Sequence, residues 1–164
     1  MNAVQVIQQS AATSDMVVKA YLGDLEDTDL LKRPHADCNH IAWQLGHLIT
    51  SEVNLLTALN ADAAPELPEG FAEKHSRSTT GSDDPADFYS KEEYLALFDK
   101  VRAATHAALD KVTEAELEAE CPIEAFREMF PTVGSVYVLI ANHPMMHAGQ
   151  WVPVRRGAGK PVVI

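Results

Sequence analysis

Apolar residues recur at alternating intervals of three and four in four separate stretches of this chain, a spacing that fits amphipathic helices and not strands. In the first stretch Val4, Ile7, Ala11, Ser14, Val18, Tyr21 and Leu25 share one side of a helix expected near residues 2–25. In the second, Ile41, Leu45, Leu48, Leu55 and Leu59 do so over 39–60, with Asn39 as the expected N-cap and Glu52 interrupting the stripe. The third, expected over 91–112, opens on a capping box of Ser90 and Glu93 and carries Tyr94, Leu97, Phe98, Val101, Ala104, Ala108 and Val112. The fourth opens at Pro131 and Thr132, runs to about 152, and reads Val133, Val136, Tyr137, Ile140, His143, His147 and Trp151 along its inward side.

Four such helices must cover one another's apolar faces, so the chain is expected to be all-α, a single domain over 1–164 built as an antiparallel four-helix bundle. Residues 61–89 hold Pro65, Pro68, Gly70, Gly81 and Pro85 with little periodicity and read as a long crossover loop between helices two and three. A helical turn is expected near Thr28 to Lys32, ended by Pro34, and a second box at Thr113 and Glu116 marks a short connecting helix.

Composition narrows the function. With 46% apolar and 23% charged residues the chain can build a core, and 24 acidic against 13 basic residues give a charge of -11 that repels phosphate backbones. Nucleic acid is therefore not an expected partner. The first ten residues lack a charged start followed by an apolar run, and no 18 apolar residues follow one another, so neither a leader nor a membrane span is expected and the location is taken as cytoplasmic. Cys38 and Cys121 stand alone and are expected to be reduced thiols.

Two histidines occupy inward positions of the fourth helix where leucine would be ordinary. His143 and His147 are one turn apart, about 6 Å along the axis, so both can reach one ion. Helix two carries a polar line beside its apolar seam, His40, Gln44, His47, Ser51 and Asn54, and His47 in mid-helix supplies a third imidazole. Such a trio suits a divalent metal ion, zinc or nickel first, with iron or manganese as further options, and leaves a coordination position open. The same pair is also what two core histidines with ordinary hydrogen bonds would look like. Pro144 stands between them, removes an amide donor and is expected to bend the helix. His35, His75 and His106 read as solvated, and His40 lies too far along the axis to be a first choice as ligand.

The run Trp43-Gln44-Leu45-Gly46-His47-Leu48, the pair His143 and His147 followed by Gly149-Gln150, and the tail Arg155-Arg156 with Gly159-Lys160-Pro161 together resemble the DinB-like superfamily. The order of features supports it: the connector from Leu25 to Pro34, the long loop before helix three, and Phe130-Pro131-Thr132 ahead of helix four. The resemblance implies a four-helix bundle, often a homodimer, with a divalent metal held by one histidine of helix two and two of helix four, here His47, His143 and His147. It also implies an enzyme of one of two kinds, since members with an assigned reaction are metal-dependent transferases or isomerases using small thiols, while many others are described only as metal-dependent hydrolases.

A hydrolase-like enzyme acting on a small molecule is the leading reading, with Glu52 and Tyr137 as candidate bases near the metal. A small-thiol S-transferase or isomerase is the alternative, with Arg155 and Arg156 pairing the carboxylates of a low-molecular-weight thiol. A third reading is a non-enzymatic binding or dimerisation module whose metal only ties two helices together. The 61–89 loop is expected to border the metal, with Phe71 as a candidate lid.

Overall fold

The computed structural model describes residues 1–163, and its helices in chain order are α1 (Ala3–Leu22), α2 (Asp27–Leu30), α3 (Ile41–Leu59), α4 (Phe71–Lys74), α5 (Lys91–Leu109), α6 (Glu114–Leu117), α7 (Val133–Gln150) and α8 (Val152–Gly157). The long ones begin where a side chain takes up amides that a helix start leaves without partners. Asn2 with Gln5 caps α1, Ser90 with Glu93 caps α5, and Thr132 with Ser135 caps α7. At α3 the cap is not Asn39 but His40, whose Nδ1 accepts from the Trp43 amide at 3.1 Å. Its Nε2 then donates to the Ser82 carbonyl, so this buried ring is committed on both sides and is no metal ligand. Among the described residues there is no strand, only an isolated bridge between Glu120 and Thr132. Among the described residues no helix is long and apolar enough to cross a membrane.

The two core clusters fix how the helices run. At one end late α1 (Val18, Leu22) meets early α3 (Leu45), early α5 (Phe98) and late α7 (Ala148), with Trp151 beyond. At the other, early α1 (Ile7) meets late α3 (Leu56), late α5 (Leu109) and early α7 (Val136, Ile140). Helices α1 and α7 therefore point one way and α3 and α5 the other. Each helix has two neighbours, α1 packing on α7 and α5, and α3 on α5 and α7. Adjacent α3 and α5 run parallel, so the segment between them must carry the chain back along the 19 residues of α3, roughly 28 Å.

That segment is more ordered than its turn-rich sequence suggests. Phe71 opens α4 and is wholly buried, with the Tyr89 ring tilted against it and the Tyr94 ring edge-on. His75 is buried too, its Nδ1 2.7 Å from the Phe71 carbonyl and its Nε2 2.7 Å from the Tyr94 hydroxyl. Phe71 is thus a core residue rather than a lid, and His75 is not solvated. The apolar payload of one aromatic ring outweighs the loop-like composition around it.

A buried polar knot crosses the middle of the bundle. Arg102 of α5 donates through Nη1 to both Glu52 oxygens of α3, at 3.0 and 3.1 Å, and through Nε to Asp15 of α1. The same Nη1 reaches the Ile140 carbonyl of α7 at 3.1 Å. Ile140 stands four residues before Pro144, and its carbonyl is the one that the missing proline amide would have served. The guanidinium replaces that donor, and α7 continues unbroken to Gln150. The knot also takes in Thr105, which donates to Glu52 at 2.6 Å, and a half-buried His106, whose Nε2 lies 2.9 Å from Asp15.

At the other end Arg155 is wholly buried, donating to the Tyr21 carbonyl, to Asp24 at 2.6 Å and to the Pro161 carbonyl at 2.7 Å. It fastens the tail to the end of α1, which corrects its assignment as a cofactor-binding group. Both cysteines are free, Cys121 buried and Cys38 half-buried.

Candidate metal centre

The run from Trp43 to Leu48 builds the site one residue at a time. Leu45 and Leu48 face the core and set the rotation of α3, which leaves His47 on the side turned to α7. Trp43 lies flat against the His47 ring, centroids 5.3 Å apart and planes 7° from parallel, and its Nε1 donates to the Ser76 carbonyl and the Thr79 hydroxyl. Gly46 leaves room for the loop: a Cβ there would stand 2.0 Å from Cδ2 of His75. Gly46→Ala is accordingly expected to cost about 1–3 kcal/mol in urea unfolding, because His75 is pinned between Phe71 and Tyr94 and has nowhere to retreat. Adding His75→Ala to that variant should return much of the loss.

Gln44 is the residue that the sequence placed in line with His47 without assigning it a task. Its amide orientation follows from two partners that work in one direction only. The indole of Trp151 can only donate and meets Oε1 at 2.9 Å, while the Asn39 carbonyl can only accept and meets Nε2 at 2.6 Å. Oε1 also lies 2.9 Å from Nδ1 of His147, so that nitrogen must carry a proton. The Nε2 of His147 is left as a bare lone pair, facing Nε2 of His143 at 3.2 Å.

His47, His143 and His147 offer one ring nitrogen each, all within 4.8 Å of one another. Ring centroids are 5.3 Å apart for His47 and His143, 5.4 Å for His47 and His147, and 4.9 Å for the pair on α7. Burial pushes the His47 imidazole below its ordinary pKa. Burial and then the neighbouring His47 bring His143 down to about 4, and burial with both neighbours brings His147 to about 3. The trio therefore presents neutral imidazoles at ordinary pH, the protonation state that a borderline divalent cation requires, with one tautomer already set by an outer hydrogen bond. On this donor set a divalent metal fits.

A cavity of about 350 Å³ opens on two of these rings. His47, His143 and Ser51 form its polar side, while Leu55, Phe126, Phe130 and Leu139 form its walls, and Met129 stands at the rim, 77% exposed. The aromatic part of the wall thus comes from the segment ahead of α7, and no residue of the 61–89 loop is among the lining residues.

The other sequence candidates are not brought to the cavity. The Glu52 carboxylate is buried against Arg102 and Thr105, and Tyr137 sits in the core cluster at the far end, where burial pushes its phenol upward. Arg156 is exposed on α8, and His35 is exposed as expected.

The profile of the DinB superfamily matches residues 12–151. Among solved structures, that of a conserved protein from Enterococcus faecalis is similar over 98% of this chain and 99% of its own, with a TM-score of 0.71 and 17% sequence identity, a likeness that bears on fold alone. No curated protein matches the chain.

Proposed function

The chain belongs to the DinB superfamily, and on that premise we propose that it is a metal-dependent, hydrolase-like enzyme acting on a small molecule at His47, His143 and His147. One observation carries this reading: three neutral imidazoles converge from two helices, and two of them, His47 and His143, line a cavity large enough for a substrate. A divalent ion held there would supply a Lewis acid and an activated water. The chain's own part is to aim the ligands, through Gln44 for His147 and Trp43 for His47, and to keep the rings unprotonated by burying them. Neither Glu52 nor Tyr137 is among the residues lining the cavity, so neither serves as base in this scheme; Ser51 supplies the hydroxyl within it.

The thiol-transferase reading keeps the metal but loses Arg155, which is spent on Asp24 and two carbonyls. Elemental analysis of the purified protein, followed by loading with cobalt, tests the proposal. A stoichiometric ion whose visible spectrum changes on adding small anions is the expected result. No bound ion after incubation with zinc and nickel would remove the proposal, and a bound ion whose spectrum ignores added ligands would leave a purely structural tie between α3 and α7.

A further inference from the structure

Resting on that metal reading, we propose that the cavity selects substrates by an uncharged apolar group, aromatic or of comparable bulk, joined to one metal-binding head. The argument is one of polar accounting. A buried polar group without a partner costs far more than a satisfied one gains. Apart from His47 and His143, the wall offers a substrate one side-chain hydroxyl, that of Ser51. Everything beyond the head would meet Leu55, Leu139, Phe126 and Phe130, the last two with ring centroids 6.1 Å apart.

No cation stands ready for a second anionic group. Arg127 follows Phe126 directly, but its Nε donates to the Cys121 carbonyl at 2.8 Å and its Nη1 pairs with Glu120 at 2.9 Å. A substrate tail carrying a carboxylate would be desolvated without compensation. Size agrees, since an apolar cavity of about 150 Å³ admits a benzene ring, and about 350 Å³ leaves room for a ring together with its head.

The test holds the head constant and varies the tail. Cobalt-loaded protein is titrated with acetohydroxamate, benzohydroxamate and a hydroxamate whose tail ends in a carboxylate, and binding is read from the visible spectrum. Benzohydroxamate is expected to bind at least about tenfold more tightly than acetohydroxamate, and the carboxylate-tailed probe no better than acetohydroxamate. Phe126→Ala and Phe130→Ala should each shrink the advantage of benzohydroxamate over acetohydroxamate to within about threefold, with the cobalt spectrum of the ligand-free protein unchanged, whereas Phe126→Leu should keep most of it. Both phenylalanines are half-buried, so these variants retain the core. Equal affinities for the three probes, or a preference for the charged tail, would overturn the apolar selection while leaving the metal reading standing. Failure to take up cobalt would overturn both.

Discussion

Arg102→Met should lower the stability of this protein by about 3–5 kcal/mol in urea unfolding, because it strips a buried carboxylate of its counter-charge. Arg102 is 3% exposed and touches every long helix: Asp15 and the Ala11 carbonyl on α1, Glu52 on α3, the Ile140 carbonyl on α7, with its own stem on α5. Methionine fills a similar volume, so the loss reports charge and hydrogen bonding more than packing. The distinctive expectation lies in the second variant. Proline in a helix interior ordinarily costs about 3 kcal/mol or more, yet here its missing amide is replaced by a guanidinium. Pro144→Ala supplies an amide four residues after Ile140, so in the Arg102→Met background it should recover about 1–3 kcal/mol, the cost of leaving a buried carbonyl unpaired. In the wild-type background the same substitution competes with Arg102 for one acceptor and should gain less. Strict additivity of the two changes in a double-mutant cycle would show that Arg102 and Pro144 are not coupled.

The helices and the His143–His147 pair were legible in the sequence for the same reason, while His47, on another helix, was joined to the pair through the family resemblance. The capping boxes at Ser90 and Thr113, the helix opening at Pro131 and Thr132, and the three-and-four spacing are local, and so is the pairing of His143 with His147 on one helix face. What escaped was set by contacts across the chain. Phe71 and His75 lie among prolines and glycines, and their burial depends on Tyr94, nineteen residues beyond His75, and on the absence of a side chain at Gly46. Arg155 read as a partner for the carboxylates of a small thiol, and only the return of the tail past Asp24 shows it as an anchor. Arg102 left a trace that reading each helix alone could not use. Glu52 stood in an apolar stripe and Pro144 orphaned a carbonyl in another, two acceptors that together call for one buried donor from elsewhere in the bundle. Gln44 was visible as a polar residue on the right face, but its role required knowing that Trp151 and Asn39 meet its two ends.

Single replacement of His47, His143 or His147 by Ala should weaken zinc binding by more than about 100-fold, since even an outer hydrogen bond to a ligand commonly carries about 10–100-fold. Gln44→Ala, which frees Nδ1 of His147 without touching a ligand, belongs in that lower range. His35→Ala should leave the affinity within about twofold, because that ring is exposed and apart from the trio, and His106→Ala should act on stability through Asp15 rather than on zinc. The pH profile separates a preformed site from three ordinary imidazoles. Protons compete with the ion for the same lone pairs, and each ring that must lose a proton costs about tenfold in affinity per pH unit below its pKa. Unperturbed rings would begin to lose the ion near pH 6.5. Here His143 is held down to about 4 and His147 to about 3, with His47 lowered in the same direction, so the affinity should begin to fall at a lower pH than it would for unperturbed rings. The sign for folding is the same. Above pH 6.5 neither the folded nor the unfolded rings are charged. As the pH falls below that value the unfolded rings bind protons that the folded ones refuse, and the metal-free protein loses stability down to about pH 4, where His143 begins to follow. Competition titrations with a chromophoric chelator between pH 5 and 8, run beside urea unfolding of the metal-free protein, measure both effects. An affinity that begins to drop at pH 6.5 with the slope of three protons, together with metal-free stability that does not depend on pH in this range, would mean that the three rings are solvated and that the site forms only when the ion draws them together.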